Sequence, residues 1–297
     1  MRLFTAYEKW LPFGELKTYV RIVGDEEGKA PLVLLHGGPG SSHNYFELLD
    51  ELATKSHRQL ITYDQIGCGN SSIPDDQPEL YTAQTWIKEL INIREKLGLK
   101  HIHLLGQSWG GMLAIMYLCD YQPKGIESLI LSSTLASAQT WGREVHRLTK
   151  TLSQSQQLAI QEAETHNDYS KSGYQEANQA LMTKFAIEPV HAEMPEPLRR
   201  PKSGGIVAYQ TAWGPNEFTP LGNLRDYNYV DQLKNLQVPT LIVNGDHDLC
   251  TPVVAKEMVQ AIPEAKWFQV KNARHMVFYD QTAKYQRLLL DWLADKE

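Results

Sequence analysis

Gly106-Gln107-Ser108-Trp109-Gly110 sets a serine between two glycines, with Gly111 following. The pattern G-x-S-x-G holds a serine on a turn so tight that side chains at its glycines would strike neighbouring backbone. The apolar run from His101 to Leu105 leads in and reads as a buried strand. The run from Met112 to Leu118 leads out and reads as a helix. Both flanks matter, because the motif alone arises often by chance. A strand before and a helix after expose the Ser108 hydroxyl near free helical N–H groups that favour negative charge. The chemistry this predicts is nucleophilic attack by Ser108.

A serine hydroxyl is a weak nucleophile near neutral pH. It needs a base within hydrogen-bond reach, and the base needs a carboxylate to hold its tautomer. The turn implies the chain order serine, acid, histidine. The partners belong in loops after late strands, where strand ends converge. The chain has 10 histidines. His275 follows the last expected strand and precedes the last expected helix, so it fits the base. His101 and His103 precede the serine, and His247 lies in the acid loop. Asp248 fits the acid, being farther out in that loop than its rival Asp246. An oxyanion needs two backbone N–H donors. Trp109, directly after the nucleophile, is one candidate, and Gly38 in His36-Gly37-Gly38-Pro39-Gly40 is the other.

These residues need a scaffold that brings strand ends together. Leu16 to Val23 alternates and reads as an early antiparallel strand. Pro31 to Leu35 is continuously apolar, as in a strand covered on both faces, and ends at the His36 loop. Gln59 to Tyr63 is the next strand. Thr85 to Leu97 is an amphipathic helix with Trp86, Leu90, Ile93 and Leu97 on one face. Ser128 to Leu131 is a further strand. The alternation predicts an α/β fold with a mostly parallel sheet covered by helices on both faces. After about Thr134 the rhythm stops. Helices are expected over 151–165 and 173–187, while Pro189, Pro195, Pro197 and Pro201 make 188–201 extended or turning. We read 135–213 as an inserted helical cap, and 1–134 with 214–297 as the catalytic domain. Strand rhythm returns at Val238 to Asn244. Thr251-Pro252 has the form of an N-cap with proline at the first helical position. Lys266 to Val270 is a last strand, and Tyr279 to Leu293 a closing helix.

Composition narrows the class. The 297 residues are 42% hydrophobic and 22% charged, ordinary for a globular enzyme. A net charge of −6 without a basic stripe argues against a nucleic-acid partner. No apolar run approaches the roughly eighteen residues of a membrane span. The N-terminus lacks a secretory core, so the expected location is cytoplasmic, away from membranes. Cys68, Cys119 and Cys250 are odd in number and scattered. They suggest neither a disulfide framework nor a zinc site, and the expected chemistry needs no metal or cofactor. Oligomeric state is open.

His36-Gly37-Gly38-Pro39-Gly40, Asp64-Gln65-x-Gly67-Cys68-Gly69-x-Ser71, Gly106-x-Ser108-Trp109-Gly110-Gly111, Gly245-x-x-Asp248 and His275 occur in that order. Together they resemble, over nearly the whole chain, the proline iminopeptidase (prolyl aminopeptidase) family of α/β-hydrolases, to which the tricorn-interacting aminopeptidase belongs. The resemblance implies an α/β-hydrolase fold and a serine aminopeptidase. Such an enzyme releases an N-terminal residue, preferentially proline, from short peptides with a free N-terminus, through an acyl-enzyme. Family members carry glutamates near the cap that bind the free amino group. Gly214-Pro215-Asn216-Glu217-Phe218 is similar to the family's G-P-N-E-F segment, which implies that role for Glu217. The chain departs from relatives at Ile66 and Asn70, where arginine is frequent. It departs again at Leu249, where some have a second amine-binding glutamate. Trp109, Trp141 and Trp213 are available to wall a pocket for a pyrrolidine ring, or to pack in the core. An amino-acid amidase or esterase would use the same residues. A non-catalytic binding protein on this fold would have no need of serine, acid and histidine together.

Overall fold

The computed structural model describes residues 5–296. Eight strands make one sheet: β1 Ala6–Phe13, β2 Leu16–Val23, β3 Leu32–Leu35, β4 Leu60–Tyr63, β5 Ile102–Gln107, β6 Ile126–Ser132, β7 Thr240–Gly245 and β8 Lys266–Val270. Their order is β1-β2-β4-β3-β5-β6-β7-β8. β2 pairs antiparallel with β1 and β4. Every pairing from β4 across to β8 is parallel. β1 was not expected from the sequence. It is an edge strand exposed along most of its length, so no buried face imposes an apolar alternation on it.

The helices are α1 Glu51–Ser56, α2 Ala83–Lys96, α3 Trp109–Tyr121, α4 Ala138–Thr149, α5 Gln154–His166, α6 Ser172–Phe185, α7 Glu196–Arg199, α8 Ile206–Ala212, α9 Pro252–Ala261, α10 Val277–Asp280 and α11 Thr282–Ala294. They cover both faces of the sheet. Leu32 and Leu34 of β3 point into a core with Leu52 of α1 and Leu289 and Trp292 of α11. Val33 and Leu35 point the other way, to Trp86 and Leu90 of α2 and Met112 and Leu113 of α3. This is the two-residue period of a strand buried on both sides. α3 is buried all round from Trp109 to Leu118, which explains why its sequence shows no polar stripe.

Among the described residues, 133–239 between β6 and β7 hold five α-helices and no strand of the sheet. α4 and α8 were not expected. α7 lies inside the proline-rich 188–201, where Pro195 precedes it and Pro197 sits in its first turn. A missing N–H has no helical partner to lose there. The closing helix is broken at Gln281, whose φ of −137° and ψ of 49° leave helical geometry. Thr251 does precede α9, but its hydroxyl makes no cap. It donates instead to Glu144 Oε2 on α4 at 2.9 Å.

Candidate active site

Ser108 alone makes the turn between β5 and α3, at φ 53° and ψ −122°. Such a backbone costs about 1–3 kcal/mol and persists only where neighbours impose it. Here Ser108 N–H donates to Ser132 O at 2.9 Å. Its carbonyl accepts from Thr134 Oγ1 at 2.6 Å. The glycines are forced by contact. A Cβ on Gly106 would lie 2.3 Å from Gly110 O, and one on Gly110 would lie 2.0 Å from Leu35 O.

His275 comes from the loop between β8 and α10, and Asp248 from the loop between β7 and α9. His275 Nδ1 and Asp248 Oδ1 are 2.8 Å apart, and both residues are buried. Asp248 Oδ1 also accepts from Cys250 N–H at 2.8 Å. Its Oδ2 accepts from Ser133 Oγ at 2.6 Å and Gly245 N–H at 3.0 Å. Four donors thus fix this carboxylate. Asp246 turns away, accepting from Ala273 N–H at 3.2 Å and pairing with the exposed His247. Burial acts to lower the His275 pKa, but Asp248, with Glu217 adding to it, outweighs this and holds it above the ordinary imidazole value. With Nδ1–H given to Asp248, Nε2 is the basic nitrogen of the neutral ring.

Trp109 N–H opens α3, and Gly38 takes φ 114° in the loop after β3. Among the described residues, neither N–H donates to a protein acceptor. The adjacent Gly37 N–H is occupied by Tyr45 Oη at 2.6 Å, and Tyr45 donates onward to Gln107 Oε1 at 2.9 Å. His36 locks the loop. Its Nδ1 meets Gly37 O at 2.9 Å, and its Nε2 accepts from Gln65 N–H at 3.0 Å. Burial lowers the His36 pKa to about 4, so the ring is neutral, as the accepting Nε2 requires. Gln65 Oε1 in turn accepts from Trp109 Nε1–H at 2.7 Å. Asp64 receives His43 Nδ1 and His43 N–H at 2.7 Å each, and Asn70 N–H at 2.8 Å. The Asp64 to Ser71 segment therefore braces the loop that carries Gly38.

Ser108, His275, Gly38 and Glu217 share the wall of one cavity of 530 Å³, which Ile187, Val190, Met194 and Leu198 also line. Hollows of 680 and 710 Å³ lie beside α11 and on α6, away from Ser108. Tyr209 O–H donates to Glu217 Oε1 at 2.9 Å, and Trp141 Nε1–H to Glu217 O at 2.9 Å. Burial raises the Glu217 pKa, partly countered by His275 and Tyr209. The other carboxylate in the wall, Glu188, is engaged by Arg274 and by Tyr279 O–H. Leu249 is wholly buried and supplies nothing polar. None of the three tryptophans walls this cavity. Trp109 is tied to Gln65, Trp141 packs edge-on to His275 at 5.8 Å, and Trp213 is buried. Ser133, Tyr45 and Glu188 also belong to the site, although no motif in the sequence points to them. They come from unremarkable stretches, and their placement depends on contacts distant in the chain.

A sharp strand-to-helix serine turn, with an acid and a histidine after later strands of a mostly parallel sheet, defines the α/β-hydrolase class. A family model described as alpha/beta hydrolase fold matches residues 30–282. The chain is 61% identical over 291 residues to the proline iminopeptidase of Lactobacillus delbrueckii subsp. lactis, covering 98% of this chain and 99% of that one. The crystal structure of proline iminopeptidase from Mycobacterium smegmatis superposes with TM-score 0.86 at 28% identity, covering 98% of both chains. The crystal structure of VinJ superposes with TM-score 0.90 at 30% identity, covering 98% of this chain and 99% of VinJ. The chain belongs to the proline iminopeptidase family of α/β-hydrolases.

Proposed function

We propose that this protein is a serine aminopeptidase that releases an N-terminal residue, preferentially proline, from short peptides. The observation that carries the reading is a nucleophile candidate, a carboxylate-held histidine and an inward glutamate in one cavity wall. The full-length likeness to proline iminopeptidases supports it. Ser108 Oγ attacks the carbonyl carbon of the first residue while His275 Nε2 takes its proton. The Gly38 and Trp109 N–H groups hold the oxyanion. His275 then protonates the leaving amine, and water, deprotonated by the same nitrogen, releases the acyl group from Ser108. Asp248 keeps the imidazole in place and stabilises its cation. Glu217 receives the substrate ammonium, because a cation entering a partly dry cavity needs a carboxylate partner. The apolar side chains Ile187, Val190, Met194 and Leu198 suit a pyrrolidine ring. In this reading 135–213 is a cap over the catalytic domain, and three unpaired cysteines agree with work in the cytoplasm.

Hydrolysis of proline p-nitroanilide by wild type and Ser108→Ala tests the mechanism. The variant is expected to lose kcat/KM by about 10⁴-fold or more. Turnover equal to wild type would remove Ser108 from the reaction.

A further inference from the structure

Five acidic or basic side chains besides His275 stand in the wall of the cavity: Glu188, Glu217, Arg199, Arg200 and Lys202. Arg200 is paired with Glu47 at 2.7 Å and with Glu196. Glu188 is paired with Arg274. Arg199 directs Nε to Met194 O at 2.9 Å. Arg199 and Lys202 thus both lack a carboxylate partner among the described residues, and Lys202 is the one beside the Gly38 loop. Its Nζ lies 3.5 Å from Ser41 Oγ and 5.9 Å from the centre of the Tyr45 ring, and among the described residues no carboxylate pairs with it. Asp64, the carboxylate that acts on it from a distance, is already taken up by His43 and Asn70. Lys202 is exposed to solvent, yet partial desolvation by its protein surroundings lowers its pKa.

The position of this cation matters. Ser41 follows Gly38 by three residues and bonds back to Gly37 O through its own N–H at 3.3 Å. Tyr45, under the ammonium, joins Gly37 to Gln107 next to the nucleophile. Lys202 therefore stands beside the oxyanion loop, in the same cavity wall as Glu217. A short peptide is itself dipolar, with an ammonium at one end and a carboxylate at the other. A cavity holding Glu217 and an unpaired lysine complements both charges. We infer that Lys202 reads the C-terminal carboxylate of the peptide and so selects di- and tripeptides with a free C-terminus. The inference rests on the aminopeptidase reading above and supplies its substrate class.

The test is the ratio of kcat/KM for Pro-Ala over Pro-Ala amide, measured in wild type, Lys202→Met and Lys202→Arg. The wild-type ratio should favour the carboxylate and fall with added salt. Lys202→Met should lower the ratio by about tenfold, the size of one charge-assisted hydrogen bond, mostly through KM. Lys202→Arg should restore most of it. An unchanged ratio in Lys202→Met, including equal losses on both substrates, overturns the inference. Wild-type cleavage of proline p-nitroanilide keeps the two readings apart. If that substrate is cleaved and the ratio is flat, only the role of Lys202 falls. If wild type cleaves none of the three, the aminopeptidase reading falls, and this inference with it.

Discussion

His275 is where the electrostatics of the site converge. Asp248 and Glu217 both raise its pKa against the pull of burial. In the proposed mechanism a protonated imidazole cannot accept the serine proton, so activity is expected to rise with pH through this pKa. The acid limb of kcat/KM is therefore expected above the ordinary imidazole value of about 6.5. Removing the charge of Glu217 removes one of the interactions that raise it. Glu217→Gln should move the acid limb to lower pH while reducing kcat/KM on proline p-nitroanilide. A pH–rate profile checks both, and a limb that stays put or moves upward contradicts the coupling. At this scale the sequence was partly legible. Chain order singled out Ser108 and His275, because the turn motif dictates where a base can sit. It favoured Asp248 over Asp246 only by loop position. What separates them in the structure is Ser133, Cys250 and Gly245 on one carboxylate and Ala273 with His247 on the other. Glu217 was legible only by resemblance. Its partners Tyr209 and Trp141 are set by the fold, and nothing in G-P-N-E-F as a string requires them.

Among the elements, α2 does more than cover the sheet. It sends Glu89, wholly buried, to the Ile66 N–H at 3.1 Å, with Thr18 Oγ1 donating to the same carboxylate at 2.5 Å. This ties β2 and α2 to the loop that braces Gly38. Burial raises the Glu89 pKa from 4.5 to about 8. The folded state thus binds this proton more tightly than the unfolded chain. Its contribution to stability is full below about pH 4.5, declines as pH rises, and is gone above about pH 8. Glu89→Gln keeps an acceptor for the Ile66 N–H and has no charge to bury. Between about pH 5 and pH 8 its stability relative to wild type should therefore rise by about 1.4 kcal/mol for each step of one in pH. Denaturant melts at the two pH values measure this, and a difference that does not change with pH contradicts it. Strands β3 to β7 were legible as apolar runs because both sides of each are covered. β1 was not, since its exposure leaves its pattern free. The break at Gln281 was not legible either. It follows Asp280, whose carboxylate is drawn to Arg274 N–H at 2.7 Å and to its guanidinium.

At the scale of the whole molecule, the loops after the sheet strands carry the proposed reacting groups, and part of the helical excursion lines the same cavity. That excursion was visible in the sequence as lost strand rhythm after about Thr134. Its contribution to the site was not visible. The proline-rich 188–201 reads as extended or turning chain, yet with the flanking Ile187 and Lys202 it lines the cavity. Three tryptophans that looked suited to a ring pocket are packed elsewhere, because large aromatic surfaces stabilise most when fully buried. The central claim concerns the molecule as a unit: a hydrolase nucleophile placed where only peptides with a free amine are well held. The direct measurement is wild-type kcat/KM on proline p-nitroanilide against N-acetyl-proline p-nitroanilide. A blocked amine leaves Glu217 buried without its cation, so a loss of about a hundredfold or more is predicted. Equal rates on the two substrates would contradict the account.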